Sequence, residues 1–438
     1  MDRDTVSRFK TIADVDAQID SVLNDSPILI TSKLSNFELP FFNASPALRR
    51  LLVLKELYRL HDTVDRTYTE LARLNRSRTA TPSDLEDFKK AFQEIVKITT
   101  NRYPAFRLVL DQARHFLDLG CAPGGFATWL LQNTLMHGVG ITLPPSASIP
   151  GISVQGSLQS LAPRFSVYEE DVCSIARGQS TSINWDTTEH IPPAGFDLVI
   201  ANAAIMLAEG AVPRTKKIDL VYAQLLVALE HIAAGGTLVL SLWMRPFDWV
   251  IDIIAILRDS FDSVYAVKPR YQAKTSFAYI VCQSYKANAD VKHLHLDHIR
   301  AIICYFNRTA IGDVDTIALP HPSEAVAGQA ILTYVVELFT PVWERQYDAI
   351  RSNYDRVLQG HGSGACPRVH PNQRSESTLA RIGNKNPQMP AARSTADHSS
   401  DWRSRSAQRD VTQRQEEKNI GYKKLFNTPK GASDRQWR

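Results

Sequence analysis

Apolar residues change their spacing along this chain, and each change predicts a different kind of structure. Through residues 1–104 they recur three and four apart, the period of amphipathic helices. Ser45 before Pro46 is a capped helix start, and the stripe Leu48, Leu51, Leu52, Leu57, Leu60 predicts a helix continuing to Leu74. Thr81-Pro82-Ser83-Asp84 opens a second helix, with Leu85, Phe88, Phe92, Ile95 and Val96 on one face. From about Phe106 to Gln283 short apolar runs alternate with helical periods, as a mostly parallel sheet with crossover helices requires. Strands are predicted up to Asp118 and at 138–143, 165–168, 196–201 and 237–243, with helices at 220–233 and 251–261. Gly235-Gly236 is read as the end of the first of these helices. Residues 284–319 show no clean period, and 323–358 read as one long helix with Pro341 inside it. Beyond residue 360, Gly, Ser, Pro, Asn, Gln and Arg dominate, which predicts disorder.

An apolar content of 44% is ordinary for a globular protein and allows a sizeable core. The net charge of +4 conceals an asymmetry. Residues 360–438 carry +8, so the preceding 359 residues carry −4. The basic tail is therefore expected to be a solvated segment, with at most weak contact to nucleic acid. Five scattered cysteines without a Cys-x-x-Cys pair fit a reduced, intracellular protein with no metal site. His293, His295 and His298 lie close together but have no neighbouring cysteine, and read as a polar patch. The start of the chain lacks an apolar signal region, and the longest apolar runs are too short to span a membrane. Nothing in the sequence separates cytoplasm from nucleus.

The densest chemistry lies at Asp118-Leu119-Gly120-Cys121-Ala122-Pro123-Gly124-Gly125-Phe126, a strand end, a tight turn and a helix start. Glycine lets the backbone turn sharply and lets a ligand approach its N–H groups, and the helix start adds oriented donors. The spelling is neither a dinucleotide fingerprint nor a P-loop. It resembles motif I of the S-adenosylmethionine (SAM)-dependent methyltransferases, in the spelling of the FtsJ-like family. The similarity extends to Ala105-Phe106-Arg107-Leu108, Phe196 to Asn202, Gly235 to Ser241, and Lys268-Pro269 through Ser276 to Val281.

That resemblance implies an α/β fold: a Rossmann-like methyltransferase sheet with helices on both faces, closed by an antiparallel pair at 263–267 and 277–283. The implied organisation is a helical N-terminal extension (1–104), the methyltransferase domain (105–284), a C-terminal helical extension (285–359) and a basic disordered tail (360–438). It also implies SAM as cofactor, held by Asp118, Gly120, Cys121, Ala122, Pro123, Gly124, Gly125 and Phe126, with Asn202 beside them. Thr142 stands where the family usually places an Asp toward the ribose, and Asp171 where it holds the adenine; Asp171 is equally well placed to cap a helix.

The departures bear on the reaction. The family methylates ribose hydroxyls of RNA with a Lys-Asp-Lys-Glu tetrad, and the matching positions here are Arg107, Asn202, Ser241 and Phe277. Arginine stays protonated, and the other three supply neither a base nor a charge. Lys274, or Lys268, is the available substitute from spacing. Trp243, Trp249 and Tyr271 are candidates for an aromatic acceptor pocket, against core packing. The expected activity is methyl transfer to an acceptor other than a ribose hydroxyl, a small molecule such as a phenol, an activated carbon or an amine. The alternatives are an RNA 2′-O-methyltransferase with a rearranged site and an inactive SAM-binding scaffold.

Overall fold

A computed structural model of the chain describes residues 3–25, 28–66, 82–144, 163–180, 183, 185, 191–204, 214–308 and 328–360. The strands are β1 (His115–Leu119), β2 (His137–Thr142), β3 (Phe165–Glu169), β4 (Phe196–Ala201), β5 (Ile232–Trp243), β6 (Phe261–Val267) and β7 (Phe277–Tyr285). They form one seven-stranded sheet in the order β3-β2-β1-β4-β5-β7-β6. The first five run parallel, and β7 inserts antiparallel between β5 and β6. The strand order reverses beside β1, so the carboxyl ends of β1 and β4 open the crevice where such sheets take their ligands. Asp197 ties the opposite end together, its Oδ2 accepting from the Arg114 and His115 backbone N–H groups at 2.7 and 2.9 Å.

The helices are α1 (Arg3–Val6), α2 (Ile12–Asp25), α3 (Ile28–Thr31), α4 (Leu39–Ala44), α5 (Pro46–Leu60), α6 (Pro82–Arg102), α7 (Ala105–Gln112), α8 (Gly125–Asn133), α9 (Val172–Ala176), α10 (Arg214–His231), α11 (Asp248–Ser260), α12 (Ala289–Arg308) and α13 (Gln329–Leu358). On one face of the sheet Phe92, Phe106, Phe126 and Leu130 pack on Phe116, Leu198, Val239 and Tyr279. The other face is covered by α10, α11 and α12, and its core continues into Leu51, Leu54 and Leu57 of α5 and Val335, Phe339 and Trp343 of α13. Helices from both ends of the sequence therefore share one core with the sheet.

Several expectations shift. The Ser45 cap forms, its Oγ accepting from the Leu48 N–H at 3.2 Å. The helix breaks after Leu60, where His61 turns to extended backbone and donates its N–H to the Leu57 carbonyl, and residues 62–66 are helical again; residues 67–74 lie outside the described residues. Gly235 does not terminate a helix: α10 ends at His231, β5 starts at Ile232, and the left-handed Gly235 (φ +74°) accommodates a register shift between β4 and β5. Residues 289–308, unassigned from sequence, form α12, which buries Leu296, Ile299, Ile302, Ile303 and Phe306 at helical spacing. Pro341 leaves α13 continuous. The tail beyond residue 360 lies outside the described residues.

α13 is stitched to the sheet region and to the N-terminal helical extension. Trp343 Nε1 donates to the Met244 carbonyl at 2.8 Å, and Gln346 Nε2 to the Lys274 carbonyl at 3.1 Å. Arg345 pairs with Glu94 of α6, and Arg351 donates from Nε to Asp16 of α2 at 2.9 Å.

Candidate active site

At the carboxyl end of β1 the chain folds over β2, the Gly120 and Cys121 N–H groups both donating to the Ile141 carbonyl at 2.9 and 3.0 Å. β4 closes from the other side, the Asn202 N–H donating to the Leu119 carbonyl at 3.0 Å. Gly120 has φ +81°, and a β-carbon there would lie 2.3 Å from the Ala203 Cα. Gly124 has φ +101° and stands as N-cap of α8. Its conformation suits glycine, and the first turn of α8 leaves its backbone N–H groups without intrahelical partners. Gly125 has a packing reason: a β-carbon would lie 2.5 Å from the Phe88 Cβ, where α6 crosses α8.

The remaining motif residues divide between cradle and support. Asp118 is buried and its Oδ2 has no hydrogen-bond partner. Burial pushes its carboxyl up to about 7. Cys121 is buried beneath the turn, where a β-carbon at Gly140 would meet its Sγ at 2.8 Å. Ala122 and Pro123 are joined by a cis peptide bond. Phe126 packs into the core, its ring 4.7 Å from Phe92 and 5.7 Å from Tyr279. Thr142 ends β2 and is buried, its carbonyl accepting from the Glu170 N–H at 2.7 Å. Asp171 caps α9, its Oδ1 accepting from the Cys173 N–H at 3.0 Å.

The tetrad-matched positions gather on the neighbouring strands. Ser241 on β5 lies opposite Tyr279 on β7, and Phe277, two residues before Tyr279, shares that face. The buried Tyr279 hydroxyl lies toward Gln272, Asp118 and Asn202, and none of them closes to hydrogen-bond geometry. Arg107 is on α7, with its side chain outside the described residues.

The two substitute lysines are otherwise engaged. Lys274 is exposed and donates to Asn353 Oδ1 of α13 at 3.2 Å, which corrects the placement suggested by spacing. Lys268 is 2% exposed. Its Nζ donates to the Thr275 carbonyl at 2.8 Å, to Thr275 Oγ1 at 3.0 Å and to the Phe277 carbonyl. Burial, with Lys55 adding repulsion, pushes its ammonium down to about 6. With all three N–H groups donated, it braces the β6–β7 connection rather than offering a base.

The aromatic trio does not converge either. Trp249 is core, edge-on to Trp243 at 5.6 Å, whereas Tyr271 is 55% exposed. One residue at this edge escaped sequence reading: Tyr279, which the pattern placed only as a strand residue.

A parallel sheet closed by an antiparallel pair, with a glycine turn between its central strand and the next helix, defines a Rossmann-like methyltransferase domain. Residues 99–285 match the family model described as FtsJ-like methyltransferase, and this part of the chain is similar to that family of SAM-dependent enzymes. No curated protein matches the sequence. Among solved structures, an rRNA methylase from Streptococcus thermophilus is 11% identical, with coverage of 41% of this chain and 91% of its own and a TM-score of 0.28. Aeropyrum pernix fibrillarin with natively bound SAM is 14% identical, with 44% and 76% coverage and a TM-score of 0.30. Human methyltransferase-like protein 13 with SAH is 14% identical, with 52% and 96% coverage and a TM-score of 0.28. These likenesses are too distant to bear on the reaction. Among the described residues no helix is long and apolar enough to cross a membrane.

Proposed function

We propose that the domain uses SAM to methylate an acceptor more acidic or more nucleophilic than a ribose hydroxyl. The observation that carries this is the chemistry at the tetrad-matched positions: Asn202, Ser241 and Phe277 offer no amine, Arg107 is no base, and Lys274 is held on α13. A ribose hydroxyl is too weak an acid to be methylated without a positioned base, whereas a phenolate, amine or activated carbon reacts largely through proximity and orientation.

The residues fit the cofactor. Gly120 and Gly124 shape a cradle that a β-carbon would spoil, and the α8 amino terminus faces it with free donors. Asp118 offers an unpartnered oxygen at the strand end, Thr142 a hydroxyl toward the ribose, and Asp171 its second carboxylate oxygen toward the adenine. When bound, SAM supplies a methyl group on an electrophilic sulfonium. Asn202 and Tyr279 stand between the cradle and the acceptor side and orient what enters there.

The test is equilibrium SAM binding to the purified chain, followed by labelled methyl transfer to structured RNA and to a panel of small phenols and amines. SAM binding with transfer to small acceptors is expected. Robust ribose methylation of RNA sinks the reading, and SAM binding without any transfer leaves the scaffold.

A further inference from the structure

β5 runs parallel to β4 and β1, and β7 runs antiparallel to β5, so Ser241 and Phe277 lie at the edge of the sheet where the glycine turn also stands. Two connections form the rim there, residues 244–247 after β5 and residues 268–276 before β7. The Met244 N–H donates to the Ser276 carbonyl at 3.0 Å and ties the two together. Both are held by one helix. Trp343 Nε1 of α13 donates to the Met244 carbonyl at 2.8 Å. Gln346 Nε2, one turn further on, donates to the Lys274 and Thr275 carbonyls at 3.1 and 2.5 Å. Asn353 Oδ1 accepts from Lys274 Nζ at 3.2 Å. The Arg270 N–H donates to Glu94 Oε2 at 2.7 Å, and Arg345 of α13 holds the other oxygen of that carboxylate, also at 2.7 Å.

Packing alone does not call for these donors. α13 already buries Val335, Phe339, Val342 and Ile350. Gln346 is fully buried on that face, where an amide is costly unless it is hydrogen-bonded. Its Nε2 is spent on the rim, and its Oε1 has no hydrogen-bond partner among the described residues. A side chain that only filled this space would be apolar. Connecting backbone moves more than the elements it joins, and a site built beside it is precise only where a second layer of side chains fixes it. We propose that Gln346 and Trp343 are positioning residues for methyl transfer, which fix the rim beside Ser241 and Phe277 and thereby the placement of the acceptor against the methyl group. They act through the rim backbone and not on the reacting atoms. The inference rests on the reading that this edge receives the acceptor. Both residues lie beyond residue 285, so the acceptor side depends on an element outside the matched segment.

The experiment compares the full chain with Gln346→Met and Trp343→Phe, which remove the N–H donor and keep most of the bulk, and with Ile350→Val, which trims the same helix without touching a rim hydrogen bond. SAM affinity, methyl transfer to the panel of structured RNA, small phenols and amines, and hydrogen exchange are measured on each. With the acceptor that the parent methylates best, Gln346→Met and Trp343→Phe are expected to raise the acceptor KM and lower kcat/KM about tenfold or more. The KM and affinity for SAM should stay at the parent's values, and Ile350→Val should keep the parent's acceptor KM. Peptides covering 244–247 and 270–276 should exchange faster in the two donor variants, while those covering 118–126 keep the parent's rate. A merely structural loss would instead lower kcat and the SAM-binding stoichiometry together, with both KM values unchanged. That pattern, or a parent-like acceptor KM in both donor variants, overturns the inference while methyl transfer stands. A parent that binds SAM and transfers to no acceptor removes the reading on which the inference rests, and the inference with it.

Discussion

A β-carbon at Gly120 would sit 2.3 Å from the Ala203 Cα, and one at Gly124 would be carried on a backbone at φ +101°. A bulky side chain at either position enters the space where backbone must meet the cofactor. Gly124→Val is expected to abolish measurable SAM affinity while the chain stays folded; calorimetry with unchanged affinity would remove the cradle from this turn. Asp118 gives a prediction in pH. Its carboxyl titrates at about 7 in the folded chain because burial disfavours its charge, against about 3.9 when unfolded. The native state therefore holds the proton more tightly between those values, so this group's penalty is absent below about pH 4 and grows as pH rises toward 7. Each pH step of one across that window is worth about 1.4 kcal/mol, a few kcal/mol in all. Asp118→Asn, which carries no charge to bury, should therefore gain melting temperature over the parent as pH rises from 4 to 7. Parallel melting curves from pH 4 to 8 would show that Asp118 ionises freely.

At the scale of elements, three helices meet on one buried carboxylate. Asp252 of α11, fully buried, accepts from the Tyr222 hydroxyl of α10 at 2.8 Å and lies 3.0 Å from His298 Nε2 of α12. The histidine cluster of the sequence is thus drawn into packing through His298. Removing the carboxylate leaves the half-buried His298 without this partner and the buried Tyr222 hydroxyl with only the Trp249 carbonyl at 3.4 Å, and loss of one partner of a buried pair typically costs about 3–5 kcal/mol. Asp252→Ala should lower the urea midpoint by that order while SAM affinity per folded molecule is kept. The same helices show where sequence reading fell short. Asn288 caps α12 by accepting from the Val291 N–H at 2.9 Å, and the apolar period from Leu296 to Phe306 follows it, so this helix was legible but obscured by its histidine-rich first turns. The end of α5 was not, because His61 is neither glycine nor proline.

The molecule as a whole does not divide where its family match ends. The match stops at residue 285, yet Val335, Phe339, Trp343 and Tyr354 of α13 are buried in the core that α5 and the sheet share. A fragment of residues 99–285 alone is expected to be insoluble, because it would expose that apolar surface. A chain ending at Gln359 should keep the parent's melting temperature, since the tail lacks the apolar content to join a core. Scanning calorimetry on the two truncations tests both statements, and a drop of many degrees in the longer one would show that the tail docks.

The sequence by itself determined the strand-and-helix alternation, the glycine turn and the domain's resemblance to a methyltransferase family, because each follows from residues adjacent in the chain. Periodicity sets which face a strand buries, and a β-carbon clash or a cap is a local event. The same local reading offered Lys274 as a substitute base, and three aromatics as an acceptor pocket against core packing. Only the tertiary structure decided that Lys274 reaches Asn353, that Trp249 is core and that Tyr271 faces solvent. It also decided that Glu38, in the N-terminal helical extension, pairs with Arg245, which follows β5. Charges interact through space, and no spacing along the chain encodes which of them the fold will bring together.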